Sequence, residues 1–432
     1  MQMNLLIYSQ KITPRITYVF KHICTRILGI EIRFTSQIEE FIAYSGPKLS
    51  YGKKPMGNEF FVQSYGLLNQ QGFDDIELAV REWEETKCFF YAGIVSKIPF
   101  DIFSASFYLL SRYEEYLPHV KDEKGRFLAT ESIAFKNEFL QEPVVDIWAY
   151  KFKNILGDAF PQLIFTSKKI TYHTIINASQ PFVYKHKGFL RSFSGIIKNL
   201  SKLKFKAVFH RLGSLLGLKK DPYATFEWMI NSLKNRKSEI TVFFIIGESV
   251  NFEEGVNSNR NAYKLLVKNI ADYMQVGLLF SKKNLVEINE LKIEKEKIEA
   301  ITNRSLISSM NEEYLVNLPD NYRNLIELEI EKDYTMVYEN TVGFRASTCT
   351  PFLFYDLDYE IVTPLLIQPI ALTTKGLKDV SVSERDEVIN KIEKSIKQVN
   401  GIFSMVFYNY DFMEINEKTN WKSVLLNLTD NE

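Results

Sequence analysis

Hydrophobic positions along the first third of the chain follow no single period. Leu5–Tyr8 is a short apolar run that predicts a strand, and Ile16–Leu28 carries apolar residues at helical spacing. Glu31–Thr35 alternates through Ile32 and Phe34, the pattern of a half-buried strand. Gly46-Pro47 and Gly52-Lys53-Lys54 punctuate turns. Phe100–Tyr116 returns to helical spacing and stops at Leu117-Pro118, and Pro143–Ile155 predicts a further helix. A turn-rich stretch, Gly157–Ser167, closes this part, giving a smaller N-terminal mixed α/β domain over 1–163 and a second domain over 164–432.

In the second domain strand and helix patterns alternate. The predicted strands are Ile170–Ile176, Ile240–Ile246, Gly277–Phe280, Val342–Phe344, Leu365–Pro369 and Ile402–Phe407. Ile240–Ile246 is almost continuously apolar, as a parallel strand covered on both faces should be. Between them lie helical patterns over Gly188–Leu218, Pro222–Lys234, Ala262–Tyr273, Leu285–Thr302, Asn321–Glu331 and Val382–Val399. The alternation predicts an α/β fold built on a parallel sheet or a (β/α) barrel, and periodicity leaves those two open.

Composition narrows the function classes. Lys+Arg and Asp+Glu both number 53, so no global charge steers the chain toward nucleic acid. Cys24, Cys88 and Cys349 are odd in number and widely spaced, which argues against a disulfide framework and a cysteine zinc site. The longest apolar stretch falls far short of the ~18 residues of a membrane span. Leu5–Tyr8 is too short for a secretory leader, so a cytoplasmic protein is expected.

Several motifs fail on inspection. Gly46 to Lys54 looks like a phosphate loop, but its spacing is wrong and Lys54 stands where a Ser or Thr should hold magnesium, so it reads as a basic turn. Neither a Gly-x-Gly-x-x-Gly fingerprint nor a Gly-x-Ser-x-Gly elbow is present. The five histidines are His22, His119, His173, His186 and His210, with no closely spaced pair of the kind zinc hydrolases use. The mixed-sign run Glu287–Glu299 reads as a solvated helix face.

Two stretches are more telling: Tyr184-Lys-His-Lys-Gly-Phe-Leu-Arg191, and Gly343-Phe-Arg-Ala-Ser-Thr-Cys-Thr-Pro-Phe352 leading into Phe354-Tyr-Asp-Leu-Asp358. With Asn321-Tyr-Arg-Asn-Leu325 and Asp333-Tyr334, they resemble a bacterial branch of the polysaccharide deacetylase family, the carbohydrate esterase family 4 barrel. In that branch a domain of unknown function precedes the barrel, and Phe100–Phe103, Tyr113–Tyr116 and Asp122–Phe127 resemble it. The resemblance implies a divalent metal such as zinc held by an Asp and two His. It also implies an Asp base oriented by an Arg, and a late His acid. Matched onto this sequence, the base falls at Asn177 and the metal Asp at Ser179. The metal histidines fall around Leu279, the acid at Tyr408-Asn409, and the arginine at Arg345, left without the carboxylate it would orient.

The expected function is therefore a non-catalytic deacetylase-like protein, without metal or cofactor, that binds a glycan or sugar precursor or supports surface-polysaccharide metabolism. Asn177, Arg345, Tyr355, Asp356, Asp358 and Tyr408 are its candidate ligand-binding residues, with Phe182, Tyr184, Phe352, Phe354 and Tyr410 as nearby aromatics. A first alternative is an active metal-dependent N-deacetylase with a site rebuilt from some of His173, His186, Asp356 and Asp358. A second is an interaction protein. From Lys185 to Lys220 there are ten Lys or Arg and no acid, with apolar residues at helical spacing. Such a segment suits an anionic membrane surface or an acidic polymer, with nucleic acid disfavoured for want of a binding motif.

Overall fold

The computed structural model describes residues 4–166, 168–185, 205–236, 238–247, 257–414 and 420–430, the side chains of 205–207 and 210 excepted. The strands are β1 (Leu5–Tyr8), β2 (Ile32–Thr35), β3 (Lys48–Gly52), β4 (Phe60–Gln63), β5 (Arg81–Trp83) and β6 (Thr86–Cys88). They continue with β7 (Thr171–Ala178), β8 (Glu239–Ile245), β9 (Gln275–Phe280), β10 (Ser308–Asn311) and β11 (Lys332–Asp333). The last four are β12 (Phe352–Asp356), β13 (Ile361–Ile367), β14 (Leu372–Thr373) and β15 (Ile402–Tyr408).

Two compact units share the chain. The first takes 1–170, 336–371 and 387–403; the second takes 171–335, 372–386 and 404–432. The division is thus not the single cut near 163 expected from the sequence, because two late segments pack with the N-terminal part.

In the first unit, a parallel sheet of order β2-β1-β3-β4 carries helices Pro14–Phe20, Ile102–Leu110 and Val144–Ala159. Helix Pro14–Phe20 begins where it should, with proline at its first position and the Thr13 hydroxyl accepting from Ile16 N at 3.1 Å. Phe20 stacks on Phe103 at 3.6 Å between ring centres, and Phe152 meets Phe103 edge-on. The predicted helix Phe100–Tyr116 is broken at Arg112, which adopts φ +54°, and its guanidinium turns to Glu114 and Glu115. The helix predicted over Ile16–Leu28 instead runs from Pro14 to Phe20 and continues as a π-helical stretch, Lys21–Ile27. The middle of the supposed basic turn is strand β3. Val342–Phe344 is not a strand: Gly343 lies at φ +145°, and Phe344 N donates to Leu140 O at 2.8 Å. β12 and β13 form an antiparallel hairpin of this unit.

The sheet of the second unit runs β11-β10-β9-β8-β7-β15-β14. The ladders β7/β8, β8/β9, β9/β10, β10/β11 and β14/β15 are parallel. β7 and β8 are buried along their length apart from their first residues, so the continuous apolar reading of β8 was sound. Helices Asn261–Ala271 and Ile288–Thr302 pack beside β9, where Gly277 lets the Phe243 ring of β8 approach the backbone. The fold is α/β, with a parallel strand-and-helix unit of (β/α) type and a separate N-terminal mixed α/β sheet. Cys24, Cys88 and Cys349 are free and buried. Among the described residues no helix is long and apolar enough to cross a membrane.

Candidate functional site

In a parallel β/α unit, functional side chains gather where strands end, because the loops that follow the C-terminal ends converge there. Asn177 is the penultimate residue of β7, and Tyr408 ends β15. The structure links them through a third residue. Asn177 Nδ2 donates to Tyr314 Oη at 3.3 Å, and Tyr314 Oη lies 2.9 Å from Tyr408 Oη. Asn177 Oδ1 accepts from Ser179 N at 3.1 Å, which fixes the amide orientation. All three side chains of the chain Asn177–Tyr314–Tyr408 are buried. Tyr314 points inward because Glu313 and Tyr314 both adopt left-handed backbone, φ +58° and +57°, just after β10. Non-glycine residues there are strained, and such strain concentrates at functional positions.

Around this core lies a rim of half-buried aromatics. Tyr408 stacks on Tyr410 with ring centres 5.1 Å apart, and Tyr223 packs 5.3 Å from Tyr410. The Lys375 ammonium sits 4.3 Å over the Tyr408 ring. Asp411 anchors the turn: it accepts from Tyr408 N at 2.8 Å and from Thr374 Oγ1 at 2.6 Å. Burial pushes its carboxyl up to about 6, against the pull of those hydrogen bonds and the Lys375 charge. Asn409 donates to the carbonyls of Gln180 and Tyr223, while its buried Oδ1 has no hydrogen-bond partner among the described residues. Asp221 accepts from four backbone amides, Val183, Tyr184, Lys185 and Tyr223, and so shapes the loop after β7.

The other sequence-predicted residues are used elsewhere. Leu279 is a fully buried apolar residue of β9. His173 lies near the start of β7, the opposite end from Asn177, 3.0 Å from Thr241 Oγ1. Burial pushes its imidazole down to about 4 despite nearby Glu239. His186 and most of the basic segment 185–220 lie outside the described residues. Arg345, Tyr355, Asp356 and Asp358 belong to the first unit. Arg345 does not lack a carboxylate: it is buried and paired twice with Glu115, Nε to Oε1 at 2.9 Å and a terminal nitrogen to Oε2 at 2.7 Å. Tyr355 donates to Glu360 at 2.9 Å and packs on Tyr18 and Phe107, and Asp356 accepts from Asp358 N and Tyr359 N. Phe352 and Phe354 are buried on the same hairpin. Of the six candidate ligand residues the structure brings together two, Asn177 and Tyr408. Tyr314, Tyr223, Lys375 and Asp411 were missed, and only Asp411, three residues past a clear strand end, carried a sequence signal.

The donor set does not suit a divalent ion. An amide and phenols are weak neutral ligands where Zn²⁺ demands several imidazoles, thiolates or carboxylates, and the Asp411 carboxylate beside them is engaged by Tyr408 N and Thr374 Oγ1. Among the described residues no group of three His, Cys, Asp or Glu is placed to hold a metal.

Comparison with known proteins adds the following. Residues 5–161 match a family of unknown function, DUF7033. No curated protein matches the chain. Among solved structures, the chain is similar to a putative polysaccharide deacetylase from Mycobacterium smegmatis. That likeness has 8% identity, covers 61% of this chain and 84% of the other, and gives a TM-score of 0.40. It is similar to a CE4 family pseudoenzyme from Bacillus anthracis at 10% identity, 61% of each chain and a TM-score of 0.31. A 4-alpha-glucanotransferase from Thermococcus litoralis matches at 13% identity over 61% of this chain and 38% of that one, with a TM-score of 0.36.

Proposed function

We propose that this is a deacetylase-like protein that binds a carbohydrate, or supports surface-polysaccharide metabolism, without metal-dependent hydrolysis. The observation that carries this reading is the neutral chain Asn177–Tyr314–Tyr408, lying where the family resemblance calls for a carboxylate base and an imidazole acid. An amide nitrogen has no electron pair available for a proton at neutral pH, and a phenol far from its own titration range neither gives nor takes one readily. Sugar binding asks for less. The C–H faces of a pyranose pack on flat rings such as Tyr410 and Tyr223, with polar groups at the rim to meet hydroxyls.

The test is calorimetric titration of the metal-stripped full chain with Zn²⁺ and Co²⁺, then binding of chitotetraose as probe. No stoichiometric metal binding is expected, no acetate release, and chitotetraose affinity about tenfold weaker in Tyr410→Ala, the worth of one stacked ring. Tight one-to-one zinc with acetate release would instead establish a rebuilt hydrolase.

A second reading is favoured by helix Phe205–Leu215 and the turn after it. Phe209, Leu216 and Leu218 are exposed by more than two thirds, beside the basic pair Lys219 and Lys220. Apolar residues next to lysines suit the surface of an anionic bilayer. Co-sedimentation with phosphatidylserine vesicles is expected to fall when Lys219 and Lys220 become glutamate, and binding indifferent to that change and to salt excludes it.

A further inference from the structure

The first unit contains a cavity of about 900 Å³ whose lining shares no residue with the candidate site. That is within the size range of small-molecule sites. One wall is the end of helix Pro14–Phe20 and the π-helical stretch Lys21–Ile27, contributing Thr17, Tyr18, Lys21, His22, Thr25 and Arg26. Glu31 and Ile32 at the start of β2, with Leu353 and Val362 of the β12–β13 hairpin, complete most of the lining.

Three features make this a built site. First, His22 is 3% exposed, yet neither of its ring nitrogens has a hydrogen-bond partner among the described residues. A buried polar ring without a partner is costly, and in a native protein it calls for a ligand, water or ion to satisfy it. Burial, then the charges of Arg26 and Lys168, push His22 down to about 3, so the ring is neutral and offers one donor and one acceptor. Second, Arg26 and Lys21 form no ion pair among the described residues, although Arg26 is partly buried. The Lys168 ammonium, bonded to the Arg26 carbonyl, adds a third positive charge nearby, and Glu31 is the one acid in the lining. Third, the segment that presents these groups is a π-helix, closed by Leu28 N donating to Ile23 O at 3.1 Å. Such helices are rare, are less favourable than α-helix, and occur disproportionately at functional positions.

We propose that this cavity binds a small amphiphilic carboxylic acid, with His22 donating to the carboxylate, Arg26 and Lys21 opposing its charge, and the apolar body against Tyr18, Ile32, Leu353 and Val362. The carboxylate follows from the shape of the donors. One planar guanidinium fork and one imidazole N–H match its two oxygens, whereas a phosphate asks for more donors. The Tyr18 hydroxyl is already committed, donating to Leu353 O at 2.8 Å, so it contributes a ring face.

The experiment is NMR of the full chain with ¹⁵N-labelled histidine, titrated with octanoate, acetate, octyl glucoside and octyl phosphate, with the His22 signal assigned from His22→Gln. Octanoate is expected to shift the His22 ring resonances saturably. Acetate, which lacks the body, and octyl glucoside, which lacks the charge, should bind at least about tenfold more weakly. Arg26→Gln, at a partly exposed position, should weaken octanoate about tenfold while leaving the rest of the spectrum in place. Equal affinity for octanoate and octyl glucoside overturns the proposal, as does octanoate binding unchanged in Arg26→Gln or an unmoved His22 signal. Tighter binding of octyl phosphate than of octanoate overturns the carboxylate assignment.

Discussion

Replacing Arg345 with alanine is expected to destabilise the first unit by about 3–5 kcal/mol, the cost of leaving a buried carboxylate without its principal partner. Glu115 would keep only Arg112, whose Nε donates to it at 2.8 Å and which also serves Glu114. Urea unfolding followed by far-UV circular dichroism measures the loss, and a change within about 0.5 kcal/mol, typical of a surface site, contradicts the pairing. The pH dependence has a definite sign. Burial alone would raise the Glu115 carboxyl, but the Arg345 and Arg112 guanidiniums hold it at about 2, against 4.5 for the free side chain. Its folded value is depressed, so its stabilisation is full above about 4.5. It is lost as pH falls toward 2, because the unfolded chain takes up the proton first. In Arg345→Ala that acid-dependent component should shrink.

Asp146→Ala is expected to cost about as much, ~3–5 kcal/mol, through hydrogen bonds left unmade instead of a lost charge pair. Asp146 is fully buried and collects Thr348 Oγ1 at 2.6 Å, Cys349 N at 2.9 Å and Thr350 Oγ1 at 2.5 Å. Alanine would orphan Cys349 N and Thr350 Oγ1 and leave Thr348 Oγ1 only the longer bond to Thr350 O at 3.4 Å, in a tight site where Gly401 brings its backbone against the Cys349 sulfur. Burial holds the Cys349 thiol far above its ordinary range, so it should react slowly with disulfide reagents. Faster labelling of Cys349 in Asp146→Ala would report the loosening directly. Unchanged labelling and stability would show that the three donors find other partners.

How far the sequence reveals this molecule depends on the range over which each feature is encoded. β8 was legible to within a residue because a strand covered on both faces must be apolar throughout. β3 was not, since Lys48-Leu-Ser-Tyr-Gly has neither an apolar run nor clean alternation, and it pairs with partners that supply the burial. At the candidate site, Asn177 and Tyr408 could be placed because they end recognisable strands. Tyr314 could not, because its inward aim comes from two consecutive left-handed residues that Glu-Glu-Tyr does not advertise. Arg345 was misread for a different reason: its carboxylate lies 230 residues earlier in the chain, beyond any local pattern.

The late segments of the first unit bear on how the protein is made. Arg15 waits for Glu360, Glu115 for Arg345, and Asp146 for Thr348 to Thr350. When residue 161, the end of the stretch matching DUF7033, has left the ribosome, three buried charged groups still lack partners that later residues supply, and Glu115 has only Arg112. An expressed fragment ending there should be insoluble or chaperone-bound. In the full chain the N-terminal unit cannot close until residue 403 has emerged. The first unit is thus completed only after most of the second has been made, so synthesis imposes no domain-by-domain order on the pair.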